Sequence, residues 1–193
     1  MKKIISLFLA MIICAVLASC GESATESDVP EGMKLVECDD EKSYSLYVPD
    51  EWTIDMSTGT VSAYVSSSDS SNITFTGFSP DSVTDLDIPT FWADYEEDFA
   101  STFGDTMHYV SGGEELESNE DYEPSIIENF GGSGSNAYRY VYTALVSGDT
   151  YKFMQVVCAT GGYIYILTYT STLDNYDTNI EDVQSIIDNF KFN

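Results

Sequence analysis

The sequence predicts an α+β domain: an antiparallel sheet of about six strands with helices packed on it, one to each face, as an α/β/α sandwich. Three observations carry this expectation. Ala137–Val146, Tyr151–Thr160 and Tyr163–Thr172 are rich in Tyr, Val, Ile and Thr, and Ser147-Gly148-Asp149 and Gly161-Gly162 between them are hairpin turn signals. Two segments switch to a helical period, one over Asp87 to Phe103 and one through Ile180, Val183, Ile187 and Phe190. In the last strand both alternating sets are apolar or aromatic. Tyr163, Tyr165, Leu167 and Tyr169 lie on one side and Ile164 and Ile166 on the other, so both faces require cover.

The N-terminus reads as an address. Lys2 and Lys3 precede an apolar run from Ile4 to Ala18, broken only by Ser6. Its length suits a signal-peptide h-region and falls short of the ~20 residues that a spanning helix needs. The run closes on Leu17-Ala18-Ser19-Cys20, followed by Gly21, and resembles the lipobox of bacterial lipoproteins. The resemblance implies that residues 1–19 are a signal peptide, cleaved before Cys20, and that the Cys20 thiol carries a diacylglyceryl group. It also implies a cell-membrane, lipid-anchored location on the extracytoplasmic face, because two acyl chains suffice for stable anchoring where one is marginal. An uncleaved anchor or a secreted soluble product would leave Cys20 incidental.

The remaining elements follow in order. Residues 20–37 comprise the lipidated Cys and an acidic, Pro/Gly-punctuated stretch without periodicity, expected to be a flexible tether. Residues 38–193 then form a single domain. Tyr44, Leu46 and Val48 alternate with Ser43, Ser45 and Tyr47, and Pro49-Asp50-Glu51-Trp52 ends this first strand. Val61–Val65 and Ile73–Phe78 are the second and third, joined by a Ser-rich loop. Trp92, Tyr95, Phe99 and Phe103 step by three or four along an amphipathic helix, with Asp87 as its cap and Pro89 in its first turn. The polar stretch from Gly112 to Glu123 is expected to be an exposed excursion, and Ser125–Phe130 a further strand. Thr178 and Glu181 stand at capping-box spacing ahead of the closing helix.

An N-terminal strand running through Tyr44-Ser45-Leu46-Tyr47-Val48-Pro49-Asp50-Glu51-Trp52, a long aromatic hairpin, and a closing helix ending in Phe190-Lys191-Phe192 together resemble PsbP-like domains. That family shares its fold with the Mog-type Ran-binding proteins, and the likeness spans most of residues 40–193. It implies a PsbP-like α/β/α sandwich and a non-catalytic binding or assembly module, so no enzymatic activity and no cofactor. Chloroplast PsbP proteins stabilise the calcium and chloride environment of photosystem II. This chain has no thylakoid address and almost no Lys with which to dock an acidic partner, so that role does not follow.

Charge narrows the partners. The 193 residues carry 33 Asp and Glu against 7 Lys and Arg, a formal charge of −26. Such a surface cannot replace the counterions of a phosphate backbone, which excludes nucleic acid. Apolar residues make up 43% of the chain, too much core material for a solvated acidic tail. Removing residues 1–19 takes away two lysines and no acid, so the mature protein stands at −28. The expected partners are the membrane, through the anchor, and an extracytoplasmic protein or cell-envelope component.

Few constellations remain for chemistry. His108 is the only His, so a Ser-His-Asp or Cys-His system would have to use it, and its default reading is a surface or partly packed ring. Gly131-Gly132-Ser133-Gly134-Ser135 lacks the second Gly of a nucleophile elbow and reads as a turn. Cys38 and Cys158 are the thiols left to the mature domain, too few with His108 for a zinc site, and either a disulfide between them or two buried thiols fits an oxidising compartment. Acid clusters such as Asp39-Asp40-Glu41, Asp81/Asp85/Asp87 and Glu96-Glu97-Asp98 match no EF-hand spacing, so no metal ligand is assigned.

Arg139 is the only Arg. It reads either as an ion-paired, stem-packed side chain or as a carboxylate or phosphate clamp walled by Tyr138, Tyr140 and Tyr142. Those three tyrosines, with Tyr163, Tyr165 and Tyr169 expected on the adjacent strand, form either cross-strand packing under a helix or an exposed aromatic platform. Two other functions stay open on residues alone: an extracellular hydrolase with a carboxylate site, and a divalent-cation-dependent binding module.

Overall fold

The computed structural model describes residues 29–36, 44–56, 60–80 and 86–193. The expected signal peptide, Cys20, most of the expected tether, Cys38 and the acids at 39–41, 81 and 85 lie outside the described residues. Early in the chain come β1 (Met33–Leu35), β2 (Tyr44–Ser45), β3 (Tyr47–Pro49), β4 (Thr53–Asp55), β5 (Val61–Tyr64) and β6 (Asn72–Phe78). The helix α1 (Ile88–Phe103) leads to β7 (His108–Ser111), β8 (Glu114–Glu115) and β9 (Ser125–Ile127). Three long strands follow, β10 (Ala137–Val146), β11 (Asp149–Thr160) and β12 (Tyr163–Thr172). The chain closes on α2 (Leu173–Tyr176), α3 (Ile180–Asn189) and β13 (Lys191–Phe192).

The main sheet is antiparallel throughout, in the order β4-β5-β6-β12-β11-β10-β7-β8, with β9 also paired to β10. It holds nine strands among the described residues, where the sequence suggests about six. The additions β4, β7 and β8 have two to four residues each, too few for alternation to register, while the expected Ser125–Phe130 strand is present as the shorter β9. The long hairpins are in tight register, Val146 against Asp149 and Thr160 against Tyr163. Their turns place Ser147 and Gly148 at φ 54° and 102°, and Gly161 and Gly162 at φ 59° and 82°. Two successive positive φ values make a primed turn, whose twist matches that of the strands it joins.

Both faces are covered, as the doubly apolar β12 requires. Beneath α1 lie Tyr109, Tyr140, Tyr142, Val157, Ile164 and Ile166, packed on Ile88, Trp92 and Tyr95 of the helix. On the other face Val156, Leu167 and Tyr169 pack against Val183, Ile186 and Ile187 of α3, with Trp52, Val48 and Leu46 from the N-terminal segment. Asp87 caps α1 as expected, its carboxylate accepting from the Thr90 N–H at 3.4 Å and the Thr90 hydroxyl at 2.6 Å.

Three expectations are corrected and a fourth is refined. The Tyr44–Val48 segment is not a strand of the main sheet. It breaks at Leu46, whose side chain enters the core, and β2 pairs with β13 while β3 pairs with β1. Alternation reports a buried side but not the partner that buries it. The expected tether is structured at its end: Met33–Leu35 is β1, Asp50 N–H donates to Gly32 O at 3.0 Å, and the Lys34 ammonium donates to the carbonyls of Asp50 and Trp52. The Thr178/Glu181 capping box does not form, because α3 starts from Asn179, whose amide instead donates to Asp69 at 3.0 Å. The excursion at 112–123 is exposed yet pinned, since Asn119 accepts from the Tyr109 N–H at 3.1 Å and donates to Met107 O at 3.2 Å.

The Gly131–Ser135 stretch is a turn with a packing role. Gly131 has φ +59°, and a Cβ there would lie 2.8 Å from the Phe192 ring and 2.9 Å from the Phe190 ring. Phe190 is itself stacked on Phe130 with centroids 4.9 Å apart. We expect Gly131→Ala to destabilise the protein by about 1–3 kcal/mol, from the left-handed backbone and overpacking together. A urea titration with unchanged m value checks this; a midpoint equal to that of the wild type contradicts it.

Candidate functional site

Of the groups singled out by the sequence, Tyr138, Tyr140 and Tyr142 face α1. Helical spacing turns Ile88, Trp92 and Tyr95 toward the sheet, and strand alternation turns Tyr138, Tyr140 and Tyr142 up to meet them. Trp92 stacks on Tyr140 with centroids 3.7 Å apart and planes 8° from parallel, and its indole N–H donates to the Tyr109 hydroxyl at 2.7 Å. Tyr109 in turn stacks on Tyr122 at 4.0 Å. Aromatic pairs of this kind add about 0.5–1.5 kcal/mol each beyond the area they bury.

The Tyr122 hydroxyl completes a gap in the sheet. Between β7 and β9 the outer edge of β10 has no strand, and there Tyr122 Oη accepts from the Val141 N–H at 2.9 Å and donates to Arg139 O at 3.3 Å. Deeper in, the Tyr142 hydroxyl donates to Gln155 Oε1 at 3.2 Å, and Gln155 Nε2 donates to Thr168 Oγ1 at 3.1 Å. Burial pushes the phenols of Tyr95, Tyr109, Tyr122, Tyr140 and Tyr142 above their ordinary range. They stay protonated, and Tyr109, Tyr122 and Tyr142 serve as hydrogen-bonding struts rather than as bases.

Burial decides the character of the Tyr stripe. Tyr140 and Tyr142 are 3% and 1% exposed under α1, which leaves only Tyr138 partly open. Tyr163, Tyr165 and Tyr169 do not stand beside them, because β11 lies between β10 and β12. They also face the other way. Tyr165 pairs with Cys158 and Tyr169 with Met154, and Cys158, Met154 and Tyr169 all belong to the α3-side core. A six-tyrosine platform is therefore not assembled.

Arg139 is separated from its expected walls by the same alternation. Its neighbours two residues away, Ala137 and Val141, face the α3 layer, opposite Tyr138, Tyr140 and Tyr142. Its Nη2 donates to Gln184 Oε1 of α3 at 3.0 Å, and its Nε is buried without a hydrogen-bond partner among the described residues. The guanidinium thus ties β10 to the closing helix, and the three tyrosines do not flank it.

The remaining reactive groups lie apart. His108 pairs with Thr143, whereas Ser133 precedes Ala137 at the other end of β10, a separation of roughly 20 Å along the strand. Cys158 is a buried free thiol, pushed up to about 11 by burial against a small opposing effect of the Ser133 hydroxyl. Its expected partner Cys38 is outside the described residues. Among the described residues no group of three or more His, Cys, Asp or Glu is placed to hold a metal ion.

Two carboxylates titrate abnormally, and sequence patterning pointed to neither. Burial raises Glu96, against a lowering contribution from the Tyr109 hydroxyl. Burial also presses Asp69 upward, but donors from Ser71, Asn179 and Asn175 outweigh it and the net shift is downward. Asp69 accepts from the Ser71 N–H at 2.9 Å and hydroxyl at 2.6 Å, so it knots the Ser-rich loop to the start of α3. The Ser71 contacts of Asp69 are local, but its bond from Asn179 and the approach of Tyr109 to Glu96 join residues distant in sequence, which leaves no local signal for either shift.

The comparisons with known proteins agree on the fold. A family model described as PsbP-like protein matches residues 17–192. The solution structure of cyanobacterial PsbP (CyanoP) from Synechocystis sp. PCC 6803 superposes with a TM-score of 0.56 at 16% identity, covering 92% of this chain and 99% of that one. LpqN of Mycobacterium tuberculosis, described as involved in cell envelope biogenesis, gives 0.45 at 15% identity over 82% of this chain and 89% of its own. No curated protein matches the sequence.

The two shifted carboxylates yield opposite pH signatures. Asp69 binds its proton more weakly folded than unfolded, so its contribution is present above the unfolded carboxylate range and is lost as pH falls through the folded value. Asp69→Asn should therefore lower stability at neutral pH, with the deficit shrinking on acidification below about pH 4. Glu96 binds its proton more tightly when folded, so the wild type loses stability as pH rises through that value. Glu96→Gln should be the more stable protein at neutral pH, with the gain vanishing below about pH 4. Thermal melts across pH check both, and parallel curves for wild type and variant would contradict the assignment.

Proposed function

This chain belongs to the PsbP-like family, and from that premise we propose that it is a lipid-anchored extracytoplasmic module that binds or assembles without catalysing a reaction. The observation that carries the reading is where the chemically capable groups are spent. The Trp92–Tyr109–Tyr122 chain and the Tyr142–Gln155–Thr168 chain are tied up across the sheet or its helices, and Arg139 gives its Nη2 to Gln184. The buried phenols and the Cys158 thiol are held in their protonated forms. An interior of this kind stiffens a scaffold and leaves recognition to the outer surface.

Anchoring rests on Leu17-Ala18-Ser19-Cys20 at the end of the apolar run. Among the described residues no helix is long and apolar enough to cross a membrane. The attachment proposed is the acylated Cys20, for which two acyl chains suffice. The domain then hangs on at most the dozen residues between Cys20 and β1.

Cys20→Ala tests this directly. We expect the variant either to stay unprocessed or to leave the membrane fraction, with loss of the lipid mass from the mature N-terminus. Unchanged fractionation and unchanged intact mass would sink the anchor.

A further inference from the structure

The described cations are sorted by layer. Lys34, Arg139, Lys152 and Lys191 all belong to the α3 side of the sheet: Lys34 caps the turn before Trp52, Arg139 donates to Gln184, and Lys152 lies over the Tyr176 ring at 4.1 Å. Lys191 sits between Phe190 and Phe192 in the same layer. From Ser43 to Tyr138 the sequence contains no Lys or Arg at all, and that span supplies α1, β7, β8 and β9. Among the described residues the α1 side is accordingly acidic without a Lys or Arg, and the one cation beside β9 is Arg139, which stands opposite Ser125 with its guanidinium turned to Gln184 of α3.

Within this acidic region two strands keep an open edge among the described residues, β8 and β9, and of the two only β9 carries an exposed large apolar side chain. Among the described residues β9 pairs with β10 and with no strand on its other side. At its centre Ile126 is 56% exposed, and its register partner on the same face is the partly open Tyr138. Exposed Glu117, Glu120, Asp121, Glu123 and Glu128 flank this pair along the chain. An apolar centre inside a charged rim, at an unpaired edge, is the arrangement of a strand-addition site. Like charge on both partners discourages pairing between two copies of this protein, which leaves an oppositely charged strand as the occupant.

We propose that the β9 edge, with Ile126 and Tyr138 as its apolar anchor, docks an extended Lys/Arg-rich segment of a partner protein. Main-chain hydrogen bonds to β9 hold the segment, alternate apolar side chains meet Ile126 and Tyr138, and its cations meet the glutamates on either side. This rests on the reading of the protein as a binding module and specifies its surface.

The test uses the full chain, purified in detergent, with isoleucine methyl NMR and a ten-residue peptide alternating Lys and Val. The Ile126 methyl should shift on titration while those of Ile88 and Ile180 stay in place. The Glu117→Gln/Glu123→Gln/Glu128→Gln variant, or about 0.5 M salt, should weaken binding about tenfold. Ile126→Ser should weaken it by a similar factor with an unchanged melt. Shifts centred on Ile88 or Ile180, equal binding of a Glu/Val peptide, or no binding of the Lys/Val peptide would overturn the proposal. Photo-crosslinking from position 126 and from the exposed Leu173 in native membranes separates the two levels of the argument. A partner captured only from position 173 overturns the edge assignment alone, and capture from neither position counts against the binding module itself.

Discussion

Everything in this fold answers to one constraint: the three long strands β10, β11 and β12 are apolar on both faces. A strand that buries both of its side-chain sets needs a layer above and a layer below, and the chain supplies them from different places. The upper layer is α1, inserted between β6 and β7. The lower layer is α3 with the N-terminal segment, which reaches the core through Leu46, Val48 and Trp52 and is tied to α3 by the Trp52 indole donating to Asp182 at 3.3 Å. The start of the domain and its end therefore meet, through β2 with β13, only because the sheet needs its second face closed.

The same constraint explains how the polar groups are used. Fourteen tyrosines in one domain bring many hydroxyls into a dry interior, and each that is buried needs a partner. The structure meets that need with short chains rather than one continuous network: Trp92 to Tyr109, Tyr122 to the main chain of β10, Tyr142 to Gln155 and on to Thr168, and Tyr169 to the Tyr176 carbonyl at 3.0 Å. Acidic residues are excluded from these chains, apart from Glu96 beside Tyr109 and Asp69 at the Ser-rich loop. The rest of the negative charge is pushed outward, and the few cations are drawn to the α3 layer, where Tyr176, Gln184 and main-chain carbonyls receive them. A charge imbalance that looks uniform in composition becomes a property of one side.

The candidate site was legible only in part, and the reason is specific. Tyr138, Tyr140 and Tyr142 share a face in the sequence and in the structure, since alternation within one strand is a local property. Whether that face is wet depends on where α1 packs, and the stripe could be set beside Tyr163, Tyr165 and Tyr169 only by ignoring β11 between them. Arg139 was misplaced against its walls by the same alternation that correctly grouped the tyrosines. The Tyr122 bridge and the Asp69 knot join residues 19 and 110 positions apart, and no window of sequence contains both partners.

The sequence by itself determined the α+β class, the exact limits of the two longest outer strands, the primed turns between them, the Asp87 cap and the excess of acid, because each depends on residues within a few positions of one another. It also carries the Leu17-Ala18-Ser19-Cys20 stretch on which the proposed anchor rests. Only the tertiary structure decided that Met33–Leu35 belongs to the domain, that the first expected strand divides between two small pairings, that the tyrosines are packing rather than platform, and that β9 remains an open acidic edge around Ile126. These turn on which strand lies beside which and on which layer covers which face, and such long-range pairings are set by the closing of the core rather than by any local pattern.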